Sequence, residues 1–250
     1  MIKIAIANQK GGVGKTTTAV SIGSGLALRG QRTLIVDCDP QGQVSTFLGL
    51  RQESGLFDLL VSNRPLTDVR RTASSNGYPR QGLYLVPGDK RTATAQVVLS
   101  VEGFKLDHLA NALKRVDTDF VIFDTSPSVG LFQEAALYAA DYLIVPTATD
   151  FPAAEGLAGV LQTLKAVEGK GGNCRLLGVL PTMYDDVTKE SHATMTLLRE
   201  QLSEAVLAPI HRATVFRECA AEGLTIWEKA PKSRAAEEYA QVIWRILDYE

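Results

Sequence analysis

The sequence predicts one α/β domain, a doubly wound and mostly parallel sheet with helices on both of its faces. Short β-branched runs alternate along the chain with longer segments of helical periodicity. A glycine-rich stretch follows the first of these runs and opens the first helix. The chain has 250 residues, of which 45% are hydrophobic. That size suits one large domain, residues 1–250, better than two small ones.

Six segments have the composition of buried strands, and six have the spacing of helices. The predicted strands are residues 2–7, 33–36, 83–86, 120–123, 142–145 and 176–180. The predicted helices are residues 16–29, 104–115, 131–140, 153–167, 190–202 and 235–247. Because parallel strands need crossover connections, this alternation places helices on both faces of the sheet. In the last helix an apolar stripe at three-to-four spacing should face the core.

Composition excludes several classes of protein. Mean hydropathy is +0.02, 22% of residues are charged, and the net charge is −2. No apolar run approaches the roughly 18 residues of a membrane span. Residues 2–7 have the pattern of a strand and not of a cleavable leader, and the three cysteines are far apart in sequence. We therefore expect a cytoplasmic protein, and any nucleic-acid contact must come from a local basic patch.

The stretch Lys10-Gly-Gly-Val-Gly-Lys-Thr16 predicts a phosphate-binding loop. Its glycines allow a tight turn whose backbone N–H groups face an anion, and the helix N-terminus adds partial positive charge. Lys15 would bridge the β- and γ-phosphates, and the Thr16 hydroxyl would bind Mg²⁺. The alternative is a glycine-rich turn without a ligand. The predicted nucleotide contacts are Lys10, Gly11, Gly12, Val13, Gly14, Lys15, Thr16 and Thr17.

Carboxylates follow two further strands. Asp37 and Asp39 lie in Val36-Asp-Cys-Asp-Pro-Gln-Gly42, after the second strand, and Asp124 ends the apolar strand 120–123. The carboxyl ends of parallel strands form the edge where ligands bind, so we expect these residues near the loop. Asp124 would hold Mg²⁺ through a coordinated water. Alone, the two aspartates after the second strand could be a helix cap and a surface charge.

Gln9 stands where the usual loop pattern has its first glycine, and Lys10 is a second lysine. This departure resembles the deviant Walker A loop of the ParA/MinD group of P-loop ATPases. The acidic stretches resemble that group's D-x-D-P-Q-G-N and I-I-D-T-P-P-S segments. Residues 140–157, 178–186 and 232–239 resemble ParA in particular. The likeness runs from Ile2 to Leu247, apart from a variable insertion at about residues 51–91.

The resemblance implies a slow, partner-stimulated ATPase that uses ATP and Mg²⁺ and forms an ATP-sandwich homodimer. Its implied catalytic residues are Lys10, Lys15 and Asp39, and its metal-site residues are Thr16, Asp37 and Asp124. Lys10 would reach the phosphates of the partner subunit; the alternative is a solvent-facing loop lysine. Asp39 would orient the attacking water. Implied partners are non-specific double-stranded DNA and a ParB-like adaptor, with no membrane, and the ATP-bound form would associate with the nucleoid.

One stretch departs from the ParA pattern P-R-N-V-R, in whose place this chain has His211-Arg-Ala-Thr-Val215. The Pro and Asn that commonly border adenine are replaced by His211 and Ala213, so the base contacts are undefined. Arg212 matches in place and the second arginine is displaced to Arg217; the resemblance makes both DNA-backbone contacts. The alternative is that these two arginines pair with nearby glutamates, which are Glu218 and Glu222.

Two surfaces allow more than one interpretation. After residue 63 the insertion carries six basic residues against two acidic ones, which indicates a solvated surface, with a DNA-facing patch as the alternative. A MinD-like membrane ATPase would need a basic amphipathic tail, whereas this chain ends Leu247-Asp-Tyr-Glu. The cargo is open: chromosome or plasmid DNA is expected, and a protein assembly is the alternative.

Overall fold

The computed structural model describes residues 1–75, 77–150 and 153–248, without side-chain detail at 78 and 153–155. A single sheet of seven strands runs in the order β3-β4-β2-β5-β1-β6-β7. All neighbouring strands are parallel except β3 and β4, which are antiparallel. The strands are β1 (Ile2–Ile6), β2 (Thr33–Asp37), β3 (Arg71–Ser75), β4 (Tyr78–Val86), β5 (Phe120–Asp124), β6 (Tyr142–Ala148) and β7 (Arg175–Thr182). The predicted fold class is confirmed.

Helices connect the strands and cover both faces. They are α1 (Lys15–Leu28), α2 (Gln43–Phe47), α3 (Leu56–Leu60), α4 (Leu66–Val69), α5 (Arg91–Val101), α6 (Asp107–Ala112), α7 (Leu131–Ala139), α8 (Ala153–Glu168), α9 (Lys189–Leu202), α10 (Val215–Glu222), α11 (Ile226–Lys229) and α12 (Arg234–Leu247). A 3₁₀ turn, Ser203–Ala205, follows α9.

The core lies in two layers because strand side chains alternate between the two faces of the sheet. In β1, Ile4 and Ile6 are fully buried against the face covered by α1 and α12. Ala5 packs into the opposite layer, which holds buried side chains of α5, α7, α8 and α9. β1 is therefore covered on both sides, as a central parallel strand must be.

The last helix packs through a stripe that includes Tyr239, Val242, Ile243 and Ile246, all at most 2% exposed. Its start is fixed by Ser233, whose hydroxyl accepts a hydrogen bond from the Ala236 backbone N–H. The stripe packs beside α1, so the predicted apolar face toward the core is confirmed. The apolar spacing also predicts Trp244 on that face, which is wrong because Trp244 is 57% exposed.

The insertion is more regular than its sequence indicates. It contains α3, α4 and the β3–β4 hairpin, whose register shifts between Thr72 and Ser74. Its arginines are used within the fold: Arg64 and Arg91 pair with Asp58 at 3.7 and 3.3 Å, and Arg71 pairs with Glu53 at 3.7 Å. These contacts favour the surface interpretation over a DNA-facing patch.

The structure departs from the predicted helices in two ways: one predicted helix is shorter, and α2, α3, α4, α5, α10 and α11 were not predicted. The helix predicted at 104–115 is confined to α6, because the chain turns at both ends. His108 Nδ1 accepts the Lys105 N–H there at 3.0 Å, and the Leu113 N–H returns to the Ala110 carbonyl. Helix α5 was not predicted because its sequence is rich in β-branched residues. Burial of Thr92, Ala95 and Leu99 along one of its faces offsets that weak propensity.

The close approach of α1 to its neighbours depends on Gly25. A Cβ at this position would meet Ile243 Cδ1 and would lie 2.6 Å from Trp227 Cζ2. We predict that Gly25→Ala lowers the free energy of unfolding by about 1–3 kcal/mol through overpacking. Helix propensity alone would raise it by up to about 1 kcal/mol, so the sign identifies the cause. Urea denaturation measures the change. Adding Ile243→Val should recover part of the loss, and a more stable Gly25→Ala protein would contradict the packing argument.

Candidate nucleotide site

Strand register brings the predicted acidic residues together. Asp124, the last residue of β5, pairs with Asp37 of β2 on one side and with Ile6 of β1 on the other. The phosphate-binding loop leaves β1 immediately after Ile6. Asp124 therefore lies between the root of the loop and the second carboxylate, at the carboxyl edge of the sheet.

The loop turns through glycines that adopt left-handed backbone conformations. Gly12 has φ 74° and Gly14 has φ 85°, and Gly14 is the N-cap of α1. Lys15 is the first residue of this helix and only 7% exposed, and its Nζ donates to the Lys10 carbonyl at 3.0 Å. Burial lowers the Lys15 pKa, against the opposing charges of Asp124 and Asp39. A buried lysine at a helix N-terminus, beside free backbone N–H groups, suits a phosphate.

Thr16 and Asp124 have the arrangement that a magnesium ion requires. Thr16 Oγ1 donates to Asp124 Oδ2 at 2.7 Å, while Asp124 Oδ1 is buried without a hydrogen-bond partner. Burial raises the Asp124 pKa to about 7, and the nearby Asp39 charge adds to the rise. An orphaned carboxylate oxygen next to a hydroxyl fits Mg²⁺, which here would neutralise triphosphate charge. Within the described part of the chain, no group of three or more His, Cys, Asp or Glu could hold a metal by itself.

Asp37 has both of its oxygens engaged by the backbone. Oδ1 accepts the Asp39 N–H and Oδ2 accepts the Val44 N–H, each at 3.1 Å. Burial and the Asp124 charge hold the Asp37 pKa well above its usual range. Asp39 lies in the loop that Asp37 anchors, half-buried, and its Oδ1 accepts the Gln41 N–H at 2.8 Å. The predicted carboxylates are thus together, while a metal-shell role for Asp37 and a water-orienting role for Asp39 stay predictions.

The unusual residues Gln9 and Lys10 pack against α8. Gln9 Nε2 donates to Thr163 Oγ1 at 2.9 Å. A Cβ at Gly159 would collide with the Gln9 side chain, and one at Gly156 would lie 2.9 Å from Lys10 Cβ. Gln9 therefore replaces a loop glycine because its side chain crosses to a helix that has glycines to receive it.

Lys10 turns away from its own phosphate-binding loop. Its Nζ forms an ion pair with Asp150 Oδ1 at 2.6 Å, and both side chains are partly exposed. The simple description of an unpaired, solvent-facing lysine does not fit this contact. Whether Lys10 also reaches a partner subunit stays a prediction.

Three contributors to the site were not singled out from the sequence. Asn8 supports the loop: its Oδ1 accepts the Lys10 N–H at 2.9 Å, and its Nδ2 donates to the Pro146 carbonyl at 2.8 Å. The other two are Asp150 and the Gly156–Gly159 pair. The spacing of three residues between Gly156 and Gly159 was the one sequence signal that indicated close packing.

A cleft of about 280 Å³ opens beside Gly14 and Thr17. Phe47 of α2 and Phe216 of α10 line it, together with Ala213. These apolar side chains and the adjacent phosphate-binding loop suit a nucleotide base.

His211 lies at the edge of the cleft but is held by acids. Its Nδ1 contacts Glu238 Oε1 at 2.6 Å, and its Nε2 contacts Asp186 Oδ1 at 3.1 Å. The side chain that replaces the family proline is therefore held by contacts within the protein, which include Arg234 at Nε2.

The two arginines proposed as DNA contacts also border the cleft, and both are exposed. Glu218 and Glu222 pair with Lys229, at 3.8 and 2.6 Å. The hypothesis in which Arg212 and Arg217 pair with these glutamates is therefore wrong. Across residues 1–75, 77–150 and 153–248, neither arginine has an ion-pair partner.

The fold and this site define a P-loop nucleotide-binding protein. A family model described as an AAA domain matches residues 1–176. The chromosome-partitioning ATPase Soj of Thermus thermophilus is 37% identical over 98% of this chain and 95% of its own. The chain belongs to the ParA/Soj family of partition ATPases. The resemblance drawn from its motifs is confirmed. The protein is an ATPase of the ParA/MinD positioning type.

Solved structures agree with the fold. Apo McdA from Cyanothece superposes with a TM-score of 0.89, at 23% identity over 98% of this chain and 99% of that one. Cobyrinic acid a,c-diamide synthase from Mycobacterium smegmatis, with a bound ATP analogue and magnesium, gives a TM-score of 0.85. It is 30% identical over 100% of this chain and 95% of that one. Among the described helices none combines the length and apolarity needed to cross a bilayer.

The raised pKa of Asp124 predicts how its charge affects stability. A carboxyl whose pKa rises from 3.8 to about 7 on folding destabilises the folded protein once the unfolded chain ionises. We predict that Asp124→Asn raises the melting temperature without nucleotide or Mg²⁺. The corresponding gain in the free energy of unfolding should grow from about pH 4, level off above about pH 7, and reach a few kcal/mol at most.

Thermal unfolding across pH measures this effect, and Mg²⁺ with ATP should then stabilise the native protein but not the variant. Asp119→Asn is the matched control. Its partner Arg32 lowers the Asp119 pKa, so that variant should lose stability above pH 4. If Asp124→Asn is less stable than the native protein at pH 8, the prediction that ionised Asp124 destabilises the fold is wrong.

Proposed function

We propose that this protein is a Mg²⁺-ATP-dependent ATPase that dimerises around two ATP molecules and, as that dimer, binds DNA without sequence preference. Slow hydrolysis, stimulated by a ParB-like adaptor, would then release it. In this way it would position or segregate a cargo, chromosome or plasmid DNA being favoured. Relatives named chromosome-partitioning proteins support this assignment at more than 30% identity over nearly the whole chain.

The observation that carries the proposal is the separation of the two loop lysines. Lys15 is buried inside the loop, whereas Lys10 points outward to Asp150. A lysine paired with an exposed carboxylate can exchange that partner for a more highly charged one. If it exchanges Asp150 for a partner's phosphates, ATP binds the dimer more tightly than the monomer. Only such a difference in affinity shifts the dimerisation equilibrium.

Hydrolysis follows from the same residues. Lys15, the loop N–H groups and Mg²⁺ at Thr16 and Asp124 would bind the triphosphate, while Asp39 would orient the attacking water. Lys10 would then stabilise the charge that develops as the γ-phosphate leaves. Asp39 suits its role because its loop position leaves one carboxylate oxygen available beside the site.

DNA binding is proposed from Arg212 and Arg217. Both are exposed and lack acidic partners within the described residues, which suits contacts to phosphate and not to base edges. The chain as a whole has a charge of −2, so one such patch would bind weakly. Two patches joined in an ATP dimer gain effective concentration, which makes DNA binding depend on ATP.

We predict that the ATP-analogue complex binds duplexes of unrelated sequence with equal affinity, and that affinity falls steeply with salt. Arg212→Ala with Arg217→Ala should weaken binding to every sequence and reduce the salt slope by about 0.9 per lost phosphate contact. Fluorescence anisotropy measures both. Arg64→Ala with Arg91→Ala is the matched control, because it removes the same charge from the insertion. A loss of affinity in the insertion variant alone would move the DNA contact to the insertion, and equal losses would contradict a contact specific to Arg212 and Arg217.

A comparison of DNA binding with vesicle binding separates the competing functions. Protein that ignores DNA at low salt but sediments with anionic phosphatidylglycerol vesicles would favour a MinD-like membrane ATPase. The sequence predicts that an acidic end is unsuited to such lipid. The last two residues of that end, Tyr249 and Glu250, lie outside the described residues. A ParA relative that positions a protein assembly would bind DNA as predicted, and its adaptor would then identify the cargo.

The role of Lys10 has its own prediction. Lys10→Ala should leave monomeric ATP binding intact, because Lys15 and the loop amides remain, but should weaken ATP-dependent dimerisation. A charge-assisted contact is worth about 1.5–3 kcal/mol. Two such contacts per dimer correspond to roughly two to four orders of magnitude in the dimer dissociation constant. Light scattering with a non-hydrolysable ATP analogue measures this constant.

Asp150→Asn is the matched control for Lys10→Ala. It removes the observed partner of Lys10 within the same chain and leaves the ammonium free. Dimerisation should therefore be as strong as in the native protein or stronger. Native-like dimerisation of Lys10→Ala would return this residue to the role of a surface lysine.

A further inference from the structure

Arg80, in strand β4 of the insertion, joins two helices that both contribute to the lining of the cleft. Its side chain is only 10% exposed. Nη1 donates to the Leu48 carbonyl at 2.7 Å, at the end of α2, and Nη2 donates to the Gly223 carbonyl at 2.9 Å, at the end of α10. Nε and Nη2 also form a two-bond pair with Glu228 of α11, at 2.9 and 3.0 Å. We call this set of contacts the Arg80 clamp.

The backbones that the clamp joins are in direct contact. A Cβ at Gly49 would lie 3.0 Å from the Gly223 carbonyl oxygen, and a Cβ at Gly223 would collide with the Gly49 backbone. Both residues have positive φ, 68° and 66°, which favours glycine. The ends of α2 and α10 are therefore pressed together with no side chain between them.

The start of α2 is tied to the loop of residues 38–42, which follows β2 and includes Asp39. Asp37 Oδ2 accepts the N–H of Val44, in the first turn of α2, while its Oδ1 accepts the N–H of Asp39. Gln52 Nε2 donates to the Gln41 and Gly42 carbonyls at 2.8 and 3.1 Å, from the other side of the same helix. A rearrangement of residues 38–42 around a γ-phosphate must therefore displace α2.

The far end of this connection carries the proposed DNA contacts. Arg217 lies on α10, whose last turn is held by the clamp at Gly223, and Arg212 immediately precedes that helix. Phe216 on α10 and Phe47 on α2 both line the cleft proposed for the base. On the proposed function the base lies at this end and the γ-phosphate lies near Asp39, so a diphosphate and a triphosphate should differ in their action on α2.

We propose that Arg80 is a positioning residue that makes α2 and α10 move as one unit. It thereby transmits the presence of the γ-phosphate to Arg212 and Arg217. The inference rests on the proposed function, which makes these arginines DNA contacts. The planar guanidinium suits the task because it holds three elements at fixed angles in a largely buried position. Lysine would keep the charge but could not make the same set of directed bonds.

Hydrogen–deuterium exchange tests the coupling without DNA. Replacing ADP by a non-hydrolysable ATP analogue should change exchange in both 43–47 and 215–222 of the native protein. In Arg80→Lys the change should persist in 43–47 and disappear from 215–222, with nucleotide affinity unaltered. Arg32→Lys is the matched control. It disrupts an arginine bridge to Asp117 and Asp119, neither of which belongs to α2 or α10, so both responses should remain.

A second variant covers the case in which Arg80→Lys fails to fold. Glu228→Gln weakens the clamp by removing its negative charge, yet glutamine can keep the capping box that Glu228 forms with Thr225. It should reduce the 215–222 response by at least half. An unchanged response in the folded Arg80 variant, or in Glu228→Gln if the first does not fold, would overturn the inference.

DNA affinity supplies the second readout. In the native protein the dissociation constant for duplex DNA should be far higher with ADP than with the ATP analogue. Arg80→Lys should reduce that ratio at least tenfold, while Arg32→Lys keeps it. If the native protein shows coupled exchange but binds no DNA, the DNA part of the proposed function fails and the clamp stands. If DNA binding is nucleotide-dependent in Arg80→Lys as in the native protein, the clamp fails and the proposed function stands.

Discussion

The burial of two carboxylates at neighbouring strand ends is the constraint on which the rest of this site depends. Asp37 and Asp124 are adjacent across the β2–β5 ladder and almost completely inaccessible. Burial raises the pKa of both carboxyl groups, and a nearby acidic charge further disfavours the ionised form of each. Such groups are costly without a cation, and Lys15, whose own pKa is lowered by burial, compensates only part of this charge. The fold is therefore organised around a cation and an anion that arrive together.

That constraint also explains how the loop of residues 38–42 is anchored. Asp37 satisfies its buried oxygens with the N–H groups of Asp39 and Val44, so the loop and α2 stabilise the carboxylate. Any ligand that changes the charge around Asp37 and Asp124 alters the strength of those two hydrogen bonds, because charge-assisted bonds are the stronger ones. The backbone of residues 38–42 is thus bonded to the carboxylate that lies beside Asp124.

The sequence predicts most of this site because its signals are local. Glycines before Lys15, a hydroxyl at Thr16 and carboxylates after two strands need only strand order to meet, and parallel strands guarantee a common edge. The parts that escaped prediction are all contacts between distant segments. Gln9 to Thr163, Lys10 to Asp150 and Arg80 to Gly223 join residues that no periodicity relates. Helix α5 and strand β3 were missed because tertiary burial overrides their weak propensities.

The departures from the family pattern acquire a physical meaning once these contacts are known. His211, in the place of a proline, is held by Glu238 and Asp186 at the edge of the cleft, and Ala213 leaves the wall beside it apolar. On the proposed function, discrimination between nucleotide states moves to the triphosphate end. There Lys10 on the α8 side and Asp37 on the α2 side both respond to the same phosphates. One ligand would thus set two surfaces at once, the face toward a second subunit and the helix that carries Arg217.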